Sequence, residues 1–206
     1  MMDHMIDLYD LLFKKSSKFL STSCKSYHDM TEMIYVTNFV RLLELFMKEA
    51  GLADSRVTEM EFKTFQNKIN VCFVMGLSLT LGVLVKDEFR KPFDKFLRRA
   101  VSEPVKSESN QERILNFERN VSPPEIQGAL MIDYYLDFED WKWHSYKDQT
   151  TKLTEEEKKT TYASFYDITV ETEESLRIRR SIRLSRHYNL NYLIIGPTGI
   201  GKTQII

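Results

Sequence analysis

Apolar residues in the first half of the chain recur at helical spacing. Between residue 3 and about residue 103, apolar residues recur at the three- and four-residue intervals of a helix, and few helix-breaking residues interrupt them. This spacing places the apolar side chains on one face of each helix. The clearest examples are Ile6, Leu8, Leu11, Leu12 and Phe13, followed by Ile34, Phe39, Leu42, Leu43, Leu45 and Phe46. We therefore predict a mainly α fold in which residues 1–105 form a helical bundle.

Glycine, acidic and proline residues mark the ends of these helices. Gly51 falls where a C-terminal cap would end the second long helix. Asp87 suits the N-cap of a later helix, and Pro92 lies close enough to its first turn to cost little. That helix is expected to stop near Pro104.

The middle of the chain changes in character. Residues 102–125 are rich in Ser, Glu, Asn and Pro, which favours a surface connection. Aromatic and β-branched residues then gather around an acidic turn at residues 137–140. This pattern predicts a β-hairpin over about residues 129–146. We place it within a linker that spans residues 106–160 and includes a solvated, charged run.

Residues 161–206 have the pattern of the start of a separate α/β domain. Glu173 and Glu174 favour the start of a helix, and the basic residues at 183–187 favour its end. Asn189 would close the helix. Residues 192–195 are then predicted to form a short buried strand that leads into a glycine-rich loop.

Composition narrows the possible partners. The chain has 29 Lys and Arg residues against 30 Asp and Glu, so its net charge of −1 favours neither nucleic acid nor an anionic membrane. The apolar run Val71–Val85 is shorter than the roughly 20 residues that cross a bilayer, so we predict a buried core helix there. Cys24 and Cys72 lack the spacing of a zinc or disulfide framework, which indicates a reducing, cytosolic compartment. We expect no nucleic acid and no membrane partner.

The strongest chemical motif is a phosphate-binding loop near residue 200. Its glycines let the backbone turn with several N–H groups facing inward, which forms a concavity for oxyanions. Lys202 can contact the β and γ phosphates, and the Thr203 hydroxyl can bind Mg²⁺. The predicted nucleotide contacts are Gly196, Pro197, Thr198, Gly199, Ile200, Gly201, Lys202, Thr203 and Gln204.

No second acidic strand end follows the loop in this sequence. A P-loop nucleotidase needs one to hold Mg²⁺ and orient water, together with strands that bury the first. We therefore expect half of a nucleotide site and no catalytic residues. One alternative is a truncated, non-enzymatic helical interaction protein with a vestigial P-loop. An independent small nucleotidase is disfavoured because the acidic strand end is absent.

The order of these features resembles part of a dynein heavy chain, from the lid of its second AAA+ module to the Walker A loop of its third. The residues that carry the resemblance are Phe73, Val74, Gly82, Arg90, Phe93, Asp94, Phe96, Asp133, Tyr134, Tyr135, Trp143, Asp167, Ile168, Val170, Thr172, Ser175, Arg177 and the loop at 196–203. The sequence departs from the family pattern at Leu79, Val83 and Glu171, where Trp, Gly and Pro are usual.

The resemblance implies a ring ATPase of the microtubule motor class that binds ATP or ADP with Mg²⁺. Its partners would be the remaining AAA+ modules, and it would reach the microtubule only through parts absent from this sequence. The expected location is the cytoplasm and cytoskeleton, with the ciliary axoneme as one such setting. The resemblance also implies that Ile168 and Val170 line the adenine, with Arg177 nearby. The alternative is that Ile168 and Val170 only make strand contacts and that Arg177 is a surface residue. Arg177, Arg179, Arg180, Arg183 and Arg186 are interpreted as a solvated or inter-module face.

Overall fold

The computed structural model describes residues 2–28, 31–53, 60–106, 114–126, 128–150, 171–194 and 202. The chain divides into two compact units, residues 1–143 and residues 144–206. The described part is mainly helical with a small antiparallel hairpin, which confirms the predicted fold class.

The first unit begins with one long helical segment. Helix α1 (Met2–Leu8) continues through a π-helical turn (Tyr9–Phe13) into α2 (Lys14–Ser23). Leu11, Leu12 and Phe13 are all buried although they are consecutive in sequence. A wider π turn is the kind of local irregularity that redirects side chains within a continuous helix.

Helix α3 (Glu32–Glu49) buries most of the stripe predicted from its sequence, but Ile34 is 43% exposed and Leu42 is half-buried. Tyr35, Phe39, Leu43 and Phe46 lie on one face and are all buried. The helix closes as predicted at Gly51, whose φ of 65° is in the left-handed region. Gly51 N–H donates to the Lys48 carbonyl at 3.0 Å and Leu52 N–H to the Met47 carbonyl at 2.8 Å, the pattern of a Schellman cap.

Helix α4 (Phe62–Thr80) forms the centre of the bundle and packs against α3. Every residue from Ile69 to Ser78 is buried. Gly76 permits this packing, because a Cβ atom there would lie 3.1 Å from Cε2 of Phe39. Burial also raises the pKa of the Cys72 thiol to about 12.

The stretch Phe62–Leu84 is long and apolar enough to cross a membrane by length and composition alone. However, 72% of its apolar window is buried inside the protein. A core helix passes the same test of composition, and we interpret α4 as the core helix predicted from Val71–Val85.

Helix α5 (Asp87–Ser102) buries Phe93, Leu97 and Val101 and ends close to the predicted Pro104. The prediction of Asp87 as N-cap was wrong by one residue, since Lys86 holds the extended N-cap conformation and Asp87 is the first helical residue. The acidic side chain still lies in the first turn, where it complements the helix dipole. The helix continues through Pro92.

The predicted surface connection over residues 102–125 was wrong in part. Strand β1 (Val105–Lys106) pairs antiparallel with β2 (Ile114–Leu115). Leu115 is 4% exposed and Val121 is 0% exposed, so this stretch adds to the core. Among the apolar side chains described in this stretch, Leu115 and Val121 are buried and Phe117 is half-buried.

The predicted aromatic hairpin is present, but its strands cover a shorter span than the predicted residues 129–146. A 3-10 turn (Met131–Asp133) leads into β3 (Tyr134–Asp137), which pairs with β4 (Lys142–Ser145). Trp143 Nε1–H donates to the Asn120 carbonyl at 2.9 Å. The Lys68 ammonium lies 4.1 Å from the centre of the Trp141 ring, a cation–π contact that ties the turn to α4.

The second unit has two described elements. A 3-10 turn (Tyr146–Gln149), with Tyr146 buried, packs against helix α6 (Glu173–His187).

Candidate nucleotide-binding segment

Most of the predicted nucleotide site lies outside the described residues. This holds for Ile168, Val170, residues 196–201, Thr203 and Gln204. Lys202 is described; it is in helical conformation and half-buried. The assignment of phosphate, adenine and Mg²⁺ contacts therefore stays a prediction.

Helix α6, which precedes this segment, begins where the sequence predicted. Ser175 N–H donates to Oγ1 of Thr172 at 3.1 Å, and Thr172 N–H donates to Oγ of Ser175 at 2.9 Å. This reciprocal capping box satisfies two backbone donors that a helix start would otherwise leave without partners. Glu173 and Glu174 occupy the first turn, as expected for acidic groups near the positive end of the helix dipole.

The end of α6 also matches its prediction. Asn189 has a φ of 55° and its N–H donates to the Arg186 carbonyl at 3.2 Å. Leu190 N–H donates to the Ser185 carbonyl at 2.7 Å, which completes the cap. Asparagine tolerates the left-handed conformation better than most residues other than glycine.

The five arginines were interpreted as a solvated or inter-module face, and the solvated interpretation is wrong for Arg177. Contact of this face with another module stays a prediction. Arg177 is 6% exposed and lies among the buried residues of α6, with Ile182 and Leu184. Arg179 forms an ion pair with Glu171. Arg183 and Arg186 are exposed. Arginine on a helix is normally solvated, so composition alone favoured the wrong environment for Arg177.

The predicted buried strand over residues 192–195 is not formed in its described part. Residues 191–194 have no strand structure, Tyr192 is 40% exposed and Leu193 is 82% exposed. A strand of an α/β sheet is buried by neighbouring strands and covering helices. Within the described residues the strands pair only as β1 with β2 and β3 with β4.

Within the first unit, an ion pair on α5 fixes the chain that follows the helix. Arg98 Nε donates to Asp94 Oδ2 at 2.7 Å, and the two side chains are only 14% and 11% exposed. The Arg98 guanidinium also donates to the carbonyls of Pro123 at 2.7 Å and Ala129 at 3.3 Å. Met131 N–H donates to Asp94 Oδ1 at 2.5 Å. We call this group the Asp94–Arg98 clamp.

A second polar network joins α1 to α4. His4 Nε2 donates to Oδ1 of Asn70 at 2.7 Å, and Gln66 Nε2 donates to Nδ1 of His4 at 2.9 Å. The arrangement uses the imidazole tautomer that is protonated at Nε2. Sequence reasoning missed both networks. The i,i+4 spacing of Asp94 and Arg98 was a visible signal for the clamp, whereas nothing in the sequence paired His4 with residues more than 60 positions away.

Comparison with known proteins identifies the class of the bundle and hairpin. A family model described as the dynein heavy chain AAA lid domain matches residues 5–148. The chain belongs to this family.

Particular relatives are axonemal heavy chains. Dynein axonemal heavy chain 3 of Mus musculus is 23% identical over 205 aligned positions, and the match covers 97% of this chain and 5% of that protein. Dynein axonemal heavy chain 3 of Homo sapiens is 21% identical over 203 residues, covering 97% of this chain and 5% of that protein. Dynein axonemal heavy chain 2 of Homo sapiens is 22% identical over 203 residues, and the match covers 96% of this chain and 4% of that protein. The chain thus spans about 5% of the length of these relatives.

Proposed function

We propose that this chain is a section of a dynein-like AAA+ motor heavy chain that contributes the lid of one module and the Walker A loop of the next. The observation that carries the proposal is the phosphate-binding motif at 196–203, which follows a matched dynein lid in the same polypeptide. The modules would be the second and third of the ring.

The chemistry of the proposed site is the binding of ATP or ADP with Mg²⁺. The loop amides would surround the phosphates, Lys202 would neutralise the β and γ phosphates, and Thr203 would bind Mg²⁺. The helical conformation of Lys202 supports this role, because a P-loop leads directly into a helix whose N-terminus favours anions. Ile168 and Val170 would line the adenine.

A second candidate is a non-enzymatic interaction protein whose loop is vestigial. The exposure of Leu193, at 82%, favours it, since large exposed apolar side chains occur at interaction surfaces. In the motor proposal, the same side chain is covered by neighbouring strands of the α/β domain.

Nucleotide binding separates the two candidates. We would measure the affinity of a fluorescent ATP analogue, with Mg²⁺, for the heavy chain that carries this segment and for its Lys202→Ala variant. Other ATP sites in the ring would be inactivated beforehand. We expect Lys202→Ala to weaken binding at least tenfold, about the size expected for loss of a charge-assisted contact. Lys147→Ala, which removes an exposed lysine of the same unit, is the matched control.

Equal affinity of the wild-type protein and the Lys202→Ala variant would contradict the proposal. The 206-residue chain alone should show no ATP turnover above background. A rate that Lys202→Ala abolishes would overturn that part of the account.

The proposed partners are the remaining AAA+ modules of the same ring, and the proposed location is the cytoskeleton, in particular the ciliary axoneme. The relatives named axonemal support this location. Fluorescence imaging of the tagged heavy chain in ciliated cells tests it. Signal confined to the cell body, with none along the cilium, would contradict it.

A further inference from the structure

A groove of about 790 Å³ runs along the exposed side of α5. Residues of the helix form one wall, and residues from 119–125 and 128–130 form the other. The described residues around it include five cations, which are Lys91, Lys95, Arg98, Arg99 and Arg119. We call this feature the α5 groove.

The cations on the helix wall are regularly spaced. Lys91, Lys95 and Arg99 are four residues apart and all exposed. At 1.5 Å per residue, consecutive members are separated by about 6 Å along the helix axis. Arg119 is exposed on the facing wall.

Most of this positive charge is not neutralised within the described residues. Lys91, Lys95 and Arg119 form no ion pair there. Arg99 pairs with Glu103 at 3.0 Å, but both side chains are well exposed, so this pair is weak. The described residues that line the groove include two acids, of which Glu125 is exposed and Asp94 is paired with Arg98.

The Asp94–Arg98 clamp gives the groove a fixed shape. It ties the carbonyls of Pro123 and Ala129 to α5 by hydrogen bonds from Arg98. Both clamp side chains are largely buried, so the facing wall is held in place before any partner arrives. A preformed site loses less conformational entropy on binding.

We propose that the α5 groove binds an extended acidic segment of a protein. Alternate residues of an extended chain are about 6.6 Å apart, which closely matches the spacing of the helix cations. Two carboxylates at positions i and i+2 would therefore meet Lys91 and Lys95 together. Nucleic acid fits less well, because the described lining has no aromatic side chain on which a base would stack.

Fluorescence anisotropy with a labelled oligoglutamate peptide tests this proposal on the 206-residue chain. We expect binding that weakens as salt is raised, because exposed charges are screened. The double variant Lys91→Glu/Lys95→Glu should bind about tenfold more weakly or worse, since like charges then face each other. The matched control is Lys18→Glu/Arg41→Glu, which makes the same charge change at exposed positions of α2 and α3.

Circular dichroism would first establish that each variant has the helix content of the wild-type chain. Loss of binding confined to the groove variant supports the proposal. It is overturned if the control variant loses as much affinity, if the groove variant binds as well as the wild-type chain, or if a labelled oligothymidylate binds as tightly as the peptide. These results are independent of Lys202, so they stand or fall separately from the proposed nucleotide site.

Discussion

Helix α4 and the predicted strand 192–195 each contain an apolar run, but their described leucines have different environments. Leu77 is fully buried, whereas Leu193 is 82% exposed. Helix α4 meets α3 and other elements within the same described unit. Residues 192–195 were predicted as a strand of an α/β sheet, and among the described residues no strand pairs with positions 192–194. An apolar run is therefore buried only when the elements that cover it are also present in the structure.

The largest effect that tests this comparison is the removal of a core side chain. Leu77→Ala should reduce the free energy of unfolding by about 2–5 kcal/mol, because it deletes buried methyl groups and leaves a cavity. Leu193→Ala should change it by about 0.5 kcal/mol or less, because that side chain is already largely solvated. Urea denaturation followed by circular dichroism measures both. Similar losses for the two variants would show that Leu193 is packed.

Removal of the Asp94–Arg98 clamp is expected to have a smaller effect on the free energy of unfolding. Asp94→Ala should cost about 3 kcal/mol, because it leaves Arg98 without its carboxylate in a mostly buried site. Glu103→Ala removes the exposed partner of Arg99 on the same helix and should cost about 0–1 kcal/mol. The same denaturation experiment compares them. If Glu103→Ala costs as much as Asp94→Ala, burial does not control the contribution of these pairs.

The smallest effect concerns the start of α6 in the second unit. Thr172→Ala removes the hydroxyl that caps Ser175 N–H and should destabilise the helix by about 1 kcal/mol. Hydrogen exchange of the α6 amides should then be faster by about fivefold, while exchange in α4 is unchanged. Thr172→Ser keeps the capping oxygen and serves as the control. Unchanged exchange in Thr172→Ala would show that the capping box does not limit opening of α6.

Local signals predicted the boundaries of the elements well. Gly51 and Asn189 close their helices in the left-handed conformation, as their residue types indicated. The aromatic residues after position 129 form the hairpin around its acidic turn. These features depend on a few neighbouring residues, so a single sequence contains most of the information they need.

Features that depend on distant contacts were missed. The burial of Arg177 contradicts its residue type, and the pairing of β1 with β2 joins two-residue strands in a polar stretch. The Asp94–Arg98 clamp was only partly visible, since its partners at Pro123 and Ala129 are backbone carbonyls. Backbone acceptors have no sequence signature, so only the fold identifies them.

The most direct test of the proposed nucleotide site is the chemical reactivity of Lys202 in the heavy chain that carries this segment. Lysines would be acetylated with and without MgATP, and the modification of each would be quantified by mass spectrometry. We expect MgATP to protect Lys202 strongly, because its ammonium would contact phosphate, while Lys147 keeps its reactivity. Equal modification of Lys202 with and without saturating MgATP would contradict the assignment of residues 196–203 as a phosphate-binding loop.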